Sequence, residues 1–167
     1  SDCSGGSGGN WRSERISLHD NTVVCPSSMP GCMFMRSSGL SVSVLGNLEV
    51  SKASSTNQYD YFFEPSGSGL SGNTDYTQLF GTSWSASMPF FGGASLATWQ
   101  GTGQEAHGLY GDPGISVTSP TAAGYAMPAA ESLAVNHGPP MSDTGNAVDL
   151  RGRVRDSQPD IGALERL

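Results

Sequence analysis

The sequence predicts an all-β fold organised as a parallel β-solenoid, and an internal repeat is the main evidence. Alternating apolar and polar residues around Asn47 recur around Asn21 and Asn73, so the three asparagines lie 26 residues apart in the 167-residue chain. A fixed period of this size with strand-like alternation is typical of solenoids. The 23 glycines, 10 prolines and only 14% charged residues favour a turn-rich β chain over a helical one.

The three asparagines of the repeat are predicted to stack at one bend of the solenoid. Equivalent residues of adjacent parallel strands lie about 4.8 Å apart, which is within reach of side-chain hydrogen bonds. An amide group both donates and accepts, so each asparagine can bond to the one above and below it. We therefore expect Asn21, Asn47 and Asn73 to form a structural ladder rather than a catalytic group.

Two carboxylates in the repeat are the weak candidates for chemistry. Strand alternation places Glu49 and Asp75 on one outward-facing column, one strand spacing apart. Retaining glycosidases hold two carboxyl groups about 5 Å apart, and paired carboxylates also bind calcium. A solvated acidic face is the favoured alternative, so the sequence predicts no catalytic residue and no cofactor, with calcium as the possible exception.

The charge and hydropathy of the chain exclude two classes of partner. The net charge of −7, with 8 Lys and Arg against 15 Asp and Glu, makes nucleic-acid binding improbable, because such proteins need clustered positive charge. A bilayer-spanning helix needs about 20 consecutive apolar residues, and the sequence contains no such run. We therefore expect neither a nucleic-acid partner nor a membrane span.

The three cysteines predict an oxidising compartment if two of them pair. Cys25 and Cys32 are separated by six residues that could form a loop closed by a disulfide. Pairing of Cys3 with either of them is equally allowed. The odd cysteine also raises the prospect of a partner outside this chain.

The chain divides into three regions by composition and repeat. Residues 1–14 are rich in Gly and Ser and are predicted to be a linker or the start of a fragment. Residues 15–80 contain the three turns of the repeat, and residues 81–167 form irregular turns and a cap. Within the third region, Ser95 is the expected N-cap of a helix through Gln100.

Two motifs in the third region have a family resemblance. The first comprises residues 95–100, 103–109 and 112–113; the second is the ending D-x-x-G-x-x-R … P-D-I-G-A-x-E, which runs here from Asp149 to Glu165. These motifs resemble the C-terminal region of secreted bacterial right-handed parallel β-helix proteins of the pectate-lyase-like superfamily, with a choice-of-anchor Q-like ending. The resemblance implies about three 26-residue rungs closed by a cap, and a secreted or cell-surface bacterial location. Solenoid ends also need capping on physical grounds, and the cap residues are Asp149, Arg155, Asp160, Ile161 and Leu164.

Two classes of function follow from these expectations. The first is a non-catalytic C-terminal segment or assembly subunit, structural or adhesive, that contacts polysaccharide; an upstream β-helix chain or a neighbouring subunit would cover its open first rung. The alternative is part of a polysaccharide lyase or glycoside hydrolase. The resemblance implies a Lys or Arg base for a lyase, but no two basic residues of the repeats lie 26 residues apart. This favours the first class, and His107 and His137 are expected to be ordinary loop histidines.

Overall fold

A computed structural model describes most of the chain outside its N-terminal region. The described ranges are 15–25, 33–36, 41–51, 61–64, 71–89, 94–115 and 125–166. The predicted linker over residues 1–14 lies outside them.

Short parallel strands form the framework of the molecule. Strands β1, β4 and β7 form one sheet, β2, β5, β8 and β9 a second, and β3 and β6 a third. Each strand up to β8 therefore pairs with the strand three positions later or earlier in the chain. The elements are β1 (Arg15–His19), β2 (Thr22–Cys25), β3 (Met33–Arg36), β4 (Ser41–Leu45), β5 (Leu48–Ser51), β6 (Tyr61–Glu64), β7 (Ser71–Asp75), β8 (Gln78–Gly81), α1 (Leu96–Gln100), β9 (Leu109–Tyr110) and α2 (Met141–Thr144).

The predicted right-handed parallel β-helix with about three 26-residue rungs is wrong. The described residues form small parallel sheets of three, four and two strands with two short helices, an α/β-like arrangement. The 26-residue register holds between β1 and β4, where Arg15 lies opposite Ser41. Between β4 and β7 the register is 30 residues, with Ser41 opposite Ser71. The spacing from β4 to β7 is therefore four residues longer than the spacing from β1 to β4, and the repeat is not regular.

Because of the change of register, Asn21 and Asn47 occupy equivalent positions, whereas Asn73 does not. The Asn21 side-chain amide donates to Asn47 Oδ1 at 2.9 Å, and the Asn21 backbone N–H donates to the same oxygen at 3.0 Å. Because Leu48 lies opposite Gln78, the residue level with Asn47 in the next unit is Thr77. Asn73 instead lies within β7, opposite Ser43.

A residue with left-handed backbone conformation forms each corner where the chain passes from a strand of the first sheet to the next strand, in the second sheet. Asp20, Gly46 and Tyr76 occupy these corners with φ of 53°, 67° and 57°. The Gly46 N–H donates to the Asp75 carbonyl at 3.1 Å, which links adjacent corners. Glycine is required at position 46 because a Cβ there would lie 2.8 Å from a side-chain atom of Pro139.

The hydrophobic core lies between the second sheet and the C-terminal segment. Leu48, Val50, Ala134 and Ile161 form one buried cluster. The Ile161 N–H donates to the Ala134 carbonyl at 2.8 Å, and the Gly162 N–H donates to the Gly46 carbonyl at 2.8 Å, so the C-terminal segment is joined to the corner between β4 and β5. Leu164 is also buried. These two apolar residues are the ones that the sequence predicts as cap residues.

The predicted helix after Ser95 is confirmed as α1. The Ser95 hydroxyl accepts a hydrogen bond from the Thr98 N–H at 3.3 Å. The Trp99 indole N–H donates to Thr74 Oγ1 at 3.1 Å and joins the helix to β7. Neither described helix has the length and apolar character that a membrane span requires.

Cys25 is buried at the end of β2 and is disulfide-bonded. Cys3 and Cys32 both lie outside the described residues. The pairing of Cys25 with Cys32 therefore stays a prediction.

Candidate functional site

The two carboxylates proposed from the sequence do not share a column. Glu49 lies opposite Leu79 and is fully buried. Asp75 lies opposite Leu45, at the end of β7. The 30-residue register places Asp75 one corner away from the position that the 26-residue repeat predicts. The spacing expected of a retaining glycosidase pair is therefore not present at Glu49 and Asp75.

Asp75 instead orients His107. One oxygen of its carboxylate, Oδ2, accepts from His107 Nδ1 at 2.9 Å, and the other, Oδ1, accepts from the His107 backbone N–H at 2.7 Å. The Asp75 side chain is 16% exposed, whereas the His107 side chain is 58% exposed. Because Nδ1 donates to the carboxylate, the Nε2 atom of the ring is left for an external partner.

The Tyr76 ring stacks on the His107 ring. Their centroids are 4.4 Å apart and their planes differ by 8°. Tyr76 also has a positive φ of 57°, a conformation that costs a non-glycine residue about 1–2 kcal/mol. Strained backbone of this kind is concentrated at functional sites, so Tyr76 marks this corner as a candidate.

The electrostatic environment of Tyr76 is negative. Burial raises the pKa of the phenol, and the charges of Asp75 and Asp143 raise it further. Any group that binds against this ring therefore meets the field of two carboxylates.

A cleft of about 380 Å³ opens beside the stacked rings. Pockets that hold small ligands commonly have volumes of about 300–1,000 Å³. We call it the corner cleft; its lining comes from the corner before β8, from β9 and the turn before it, from the 136–140 segment and from the 157–159 segment. The lining residues are Tyr76, His107, Leu109, Asn136, His137, Gly138, Pro140, Ser157, Gln158 and Pro159.

The 136–140 segment is fixed by hydrogen bonds behind the corner cleft. The Asn136 N–H donates to Asp160 Oδ1 at 2.8 Å, and the Gly138 N–H donates to the Pro159 carbonyl at 2.6 Å. His137 Nδ1 lies 2.7 Å from the Val135 carbonyl and must donate to it, since a carbonyl only accepts. Its Nε2 is then the second imidazole nitrogen available in the corner cleft.

A buried carboxyl group supports the turn that contains His107. Glu105 is fully buried, and its carboxylate accepts from the Thr77 N–H at 3.1 Å and from the Thr77 hydroxyl at 2.8 Å. Burial raises the pKa of Glu105 to about 7 against the opposing effect of these hydrogen bonds. Gly108 packs directly on Glu105, because a Cβ at position 108 would lie 2.8 Å from Glu105 Oε2.

The polar residues among the predicted cap residues form a second polar cluster, the C-terminal clasp, which comprises Asp149, Arg155 and the 160–165 segment. The buried Arg155 guanidinium donates to Glu165 Oε2 at 3.2 Å and to the Gly162 carbonyl at 2.6 Å. The clasp reaches back to β2, where the Thr22 hydroxyl accepts from the Ala163 N–H at 2.9 Å. It therefore joins the end of the described chain to its first strands.

The carboxylates of the C-terminal clasp accept hydrogen bonds from backbone N–H groups. Asp149 accepts from the N–H groups of Arg151, Arg153 and Glu165; burial acts to raise its pKa, but these bonds outweigh that effect and lower it. Burial raises the pKa of Asp160 and of Glu165. Asp160 in turn accepts from Asn136 and Arg166 backbone groups. These bonds indicate a structural role.

No arrangement of three or more His, Cys, Asp or Glu side chains suited to a metal ion occurs within the described ranges. The structure thus offers no candidate ligand set there for the calcium ion that the sequence left as an alternative.

Comparison of the chain with protein-family models, with curated proteins and with solved structures finds no match. The resemblance of the third region to secreted bacterial proteins therefore stays a prediction.

The sequence predicted no functional role for Tyr76 or Glu105 and predicted that His107 is an ordinary loop residue. Tyr76 occupies the corner equivalent to Gly46, because Leu45 pairs with Asp75. A glycine at a bend indicates a left-handed corner, so Gly46 provides a signal for Tyr76. Using that signal requires the 30-residue register. The contact between Asp75 and His107 spans 32 residues and follows no repeat in the sequence.

Proposed function

We propose that the chain is a non-catalytic structural and adhesive module that binds a neutral glycan in the corner cleft. The stacked Tyr76 and His107 rings, fixed by Asp75, are the observation that supports this proposal most directly. A stacked pair held on both carboxylate oxygens is ordered before the ligand arrives, which lowers the entropy lost on binding.

The chemistry of the corner cleft suits a sugar ring. A pyranose has apolar C–H faces and a rim of hydroxyl groups, so it needs both apolar contact and hydrogen-bonding partners. Tyr76, Leu109 and Pro140 offer apolar surface, whereas Asn136 and Gln158 offer amide donors and acceptors. Sites with mostly apolar linings and a few oriented polar groups are the usual form of small-ligand pockets.

The charges near the corner cleft favour a neutral glycan over an acidic one. Asp75 and Asp143 both act on Tyr76, and the chain as a whole has a net charge of −7. A uronate or sulfated sugar would meet like charge at short range, which is unfavourable. A neutral oligosaccharide avoids this repulsion.

The placement of the carboxylates supports a binding role without chemistry. The pair needed for glycoside hydrolysis is not assembled at Glu49 and Asp75, because the strand register places them opposite Leu79 and Leu45. The disulfide at Cys25 supports an oxidising environment. Together with the sequence resemblance, it favours a secreted or cell-surface location in bacteria.

The test is calorimetric titration of the full chain with neutral and uronate oligosaccharides of equal length. We expect the neutral series to bind and the uronate series to bind more weakly. Tyr76→Gly should weaken binding about tenfold, since an aromatic contact is worth about 0.5–1.5 kcal/mol.

Tyr125→Ala is the matched control, because Tyr125 is a half-buried tyrosine that does not line the corner cleft. It should bind as the parent chain does. Absence of binding by any neutral oligosaccharide, or equal binding by Tyr76→Gly, would show that the proposal is wrong.

The second candidate is a polysaccharide-cleaving enzyme, and the Asp75–His107 pair is the observation that favours it. A carboxylate that accepts from Nδ1 orients an imidazole so that Nε2 can accept a proton, as in general-base catalysis. In that case incubation with a polysaccharide would release new reducing or unsaturated ends, and His107→Gln would abolish the release without abolishing glycan binding. Binding without any release favours the first proposal.

A further inference from the structure

A rigid turn near the end of the chain presents both apolar and basic side chains to solvent. We call residues 148–154 the basic tip. Val148 and Val154 form an antiparallel bridge and are 49% and 71% exposed, and Leu150 between them is 79% exposed. Arg151 and Arg153 are exposed on the same turn.

The conformation of the basic tip is set by hydrogen bonds of its backbone and of the buried Asp149 side chain, rather than by its exposed side chains. The Asp149 N–H donates to the Arg153 carbonyl at 2.8 Å, and Asp149 Oδ1 accepts from the N–H groups of Arg151 and Arg153 at 2.8 Å each. The Leu150 N–H donates to the Ala163 carbonyl at 2.8 Å. The tip is therefore preorganised for contact, which lowers the cost of binding.

A second exposed surface has the complementary composition. We call Asp112, Glu131 and Leu133 the acidic patch; the two carboxylates are exposed, and Leu133 is 48% exposed. Leu133 lies next to the turn that contains Asp112, because a Cβ at Gly111 would be 3.3 Å from Leu133 Cδ1. The Ala129 N–H donates to the Pro113 carbonyl at 2.8 Å and holds the two segments together.

We propose that the chain associates with further copies of itself, with the basic tip of one copy docked on the acidic patch of the next. In the described part of the chain, the large hydrophobic residues that are exposed lie in these two surfaces, apart from Met141. Clustered exposed apolar side chains mark interaction sites, and Leu150 on Leu133 would remove both from water.

Charge complementarity selects a second copy as the occupant. The chain has a net charge of −7, so most approaches of one copy to another are repulsive. The basic tip is a local exception, and guanidinium groups pair with carboxylates through two parallel hydrogen bonds. Arg151 and Arg153 would therefore face Asp112 and Glu131 of the neighbouring copy.

The two surfaces differ, so the contact is head to tail. Contacts of this type close into rings or extend into filaments, depending on the rotation between copies. The inference is independent of glycan binding, since neither surface includes residues that line the corner cleft. Failure of either proposal leaves the other standing.

The experiment is sedimentation velocity of the full chain over a range of concentrations at low and high salt, without glycan. We expect association that weakens as salt rises, because the contact includes exposed charge pairs. Leu150→Asp should weaken association by about tenfold or more, as expected for a central apolar anchor. Tyr76→Gly should associate as the parent chain does.

A charge exchange makes the test specific. The double variant Arg151→Glu, Arg153→Glu should be monomeric, and so should the double variant Asp112→Asn, Glu131→Lys. Asparagine is chosen at position 112 because it retains an acceptor for the Gly114 N–H, which donates to Asp112 at 2.8 Å. Mixing the two variants should restore association.

Asp143→Lys, a charge reversal outside both surfaces, is the control and should leave association unchanged. Circular dichroism of every variant establishes that it is folded. A parent chain that stays monomeric at all concentrations would overturn the inference, and so would charge-reversed variants that associate as the parent does. A mixture that stays monomeric would also overturn it.

Discussion

The C-terminal clasp and the corner cleft each contain one ion pair, and the two pairs differ in what surrounds them. Arg155 and Glu165 lie 3.2 Å apart, with side chains 2% and 0% exposed. His107 and Asp75 lie 2.9 Å apart, with side chains 58% and 16% exposed. The buried pair is committed to the fold, whereas the exposed imidazole keeps one nitrogen available. Exposure, not the presence of charge, separates a structural pair from a candidate site.

The backbone shows the same contrast between the two regions. The C-terminal clasp uses glycine where φ is positive, as at Gly162 with φ of 102°. The corner cleft places a tyrosine at φ of 57° instead. Strain that glycine would remove is retained at Tyr76, where the ring contributes to the cleft. Retention of a tyrosine at this position supports the binding role that we propose for the corner cleft.

The largest effect should come from removing the cation of the C-terminal clasp. Arg155→Met leaves Glu165 buried without its charged partner, so we expect a loss of about 3–5 kcal/mol in the free energy of unfolding, or failure to fold. Arg151→Ala, at an exposed arginine, should change it by less than about 0.5 kcal/mol. Urea denaturation of both variants measures the difference. A similar small effect at both positions would contradict the structural role of the clasp.

The next effect concerns the carboxyl group under the corner cleft and depends on pH. The pKa of Glu105 is raised from 4.5 to about 7, so the folded chain holds a proton that the unfolded chain releases between these values. Its stabilising contribution is fully present below pH 4.5 and is lost as pH rises through about 7. A shift of this size corresponds to about 3 kcal/mol.

Glu105→Gln should remove this dependence, because an amide does not titrate in this range. We expect the stability of the parent chain relative to Glu105→Gln to decline as pH rises, measured by urea denaturation from about pH 4 to pH 8. A constant difference between the two proteins across this range would show that the carboxyl group does not hold a raised pKa.

A smaller effect distinguishes close packing in the C-terminal clasp from backbone strain. Gly162→Ala meets both a positive φ and Leu48, whose Cβ lies 3.0 Å from the added methyl position. Gly103→Ala meets a positive φ of 85° with no atom within 4 Å. We expect losses of about 2 kcal/mol or more for the first and about 1 kcal/mol for the second. Thermal unfolding of both variants gives the comparison, and equal losses would rule out the packing contribution.

The smallest expected effect is on stability at Tyr76. Tyr76→Gly relieves the left-handed strain but loses the stack on His107, so the two changes oppose each other and the net effect should stay within about 1 kcal/mol. Glycan affinity should nevertheless fall, as proposed above. A large loss of stability would instead assign Tyr76 to the fold and weaken the contrast between the two regions.

The sequence predicted the contacts of the first repeat spacing and the helix cap, but not the register of the next strands. Parallel pairing at 26 residues and the bond between Asn21 and Asn47 follow from the repeat, and the helix capped by Ser95 follows from side-chain chemistry. The 30-residue register between β4 and β7 was not predicted. The residues around Asn73 resemble those around Asn47 in sequence, but they pair in a different register. A sequence repeat shows similarity of residues and not the alignment of strands.

The corner cleft was harder to predict than the fold for a physical reason. Its residues come from turns that have no periodic pattern, and they meet only after the strands have aligned. The corner at Tyr76 can be inferred from Gly46 only in the 30-residue register, which pairs Leu45 with Asp75. The burial of Glu105 depends on the contact of its turn with Thr77. The residues of the C-terminal clasp were named from a family motif that spans Asp149 to Glu165 and from the need of a solenoid for a cap. Their role as a cap stays a prediction.

An NMR titration of the ¹⁵N-labelled chain with a neutral oligosaccharide tests whether the corner cleft is the binding site. We expect concentration-dependent shifts of the backbone signals of His107, Asn136 and His137, and unchanged signals of Arg155 and Glu165. Shifts confined to other residues, or no shifts at saturating oligosaccharide, would contradict the claim that the corner cleft is the binding site and the C-terminal clasp its structural support.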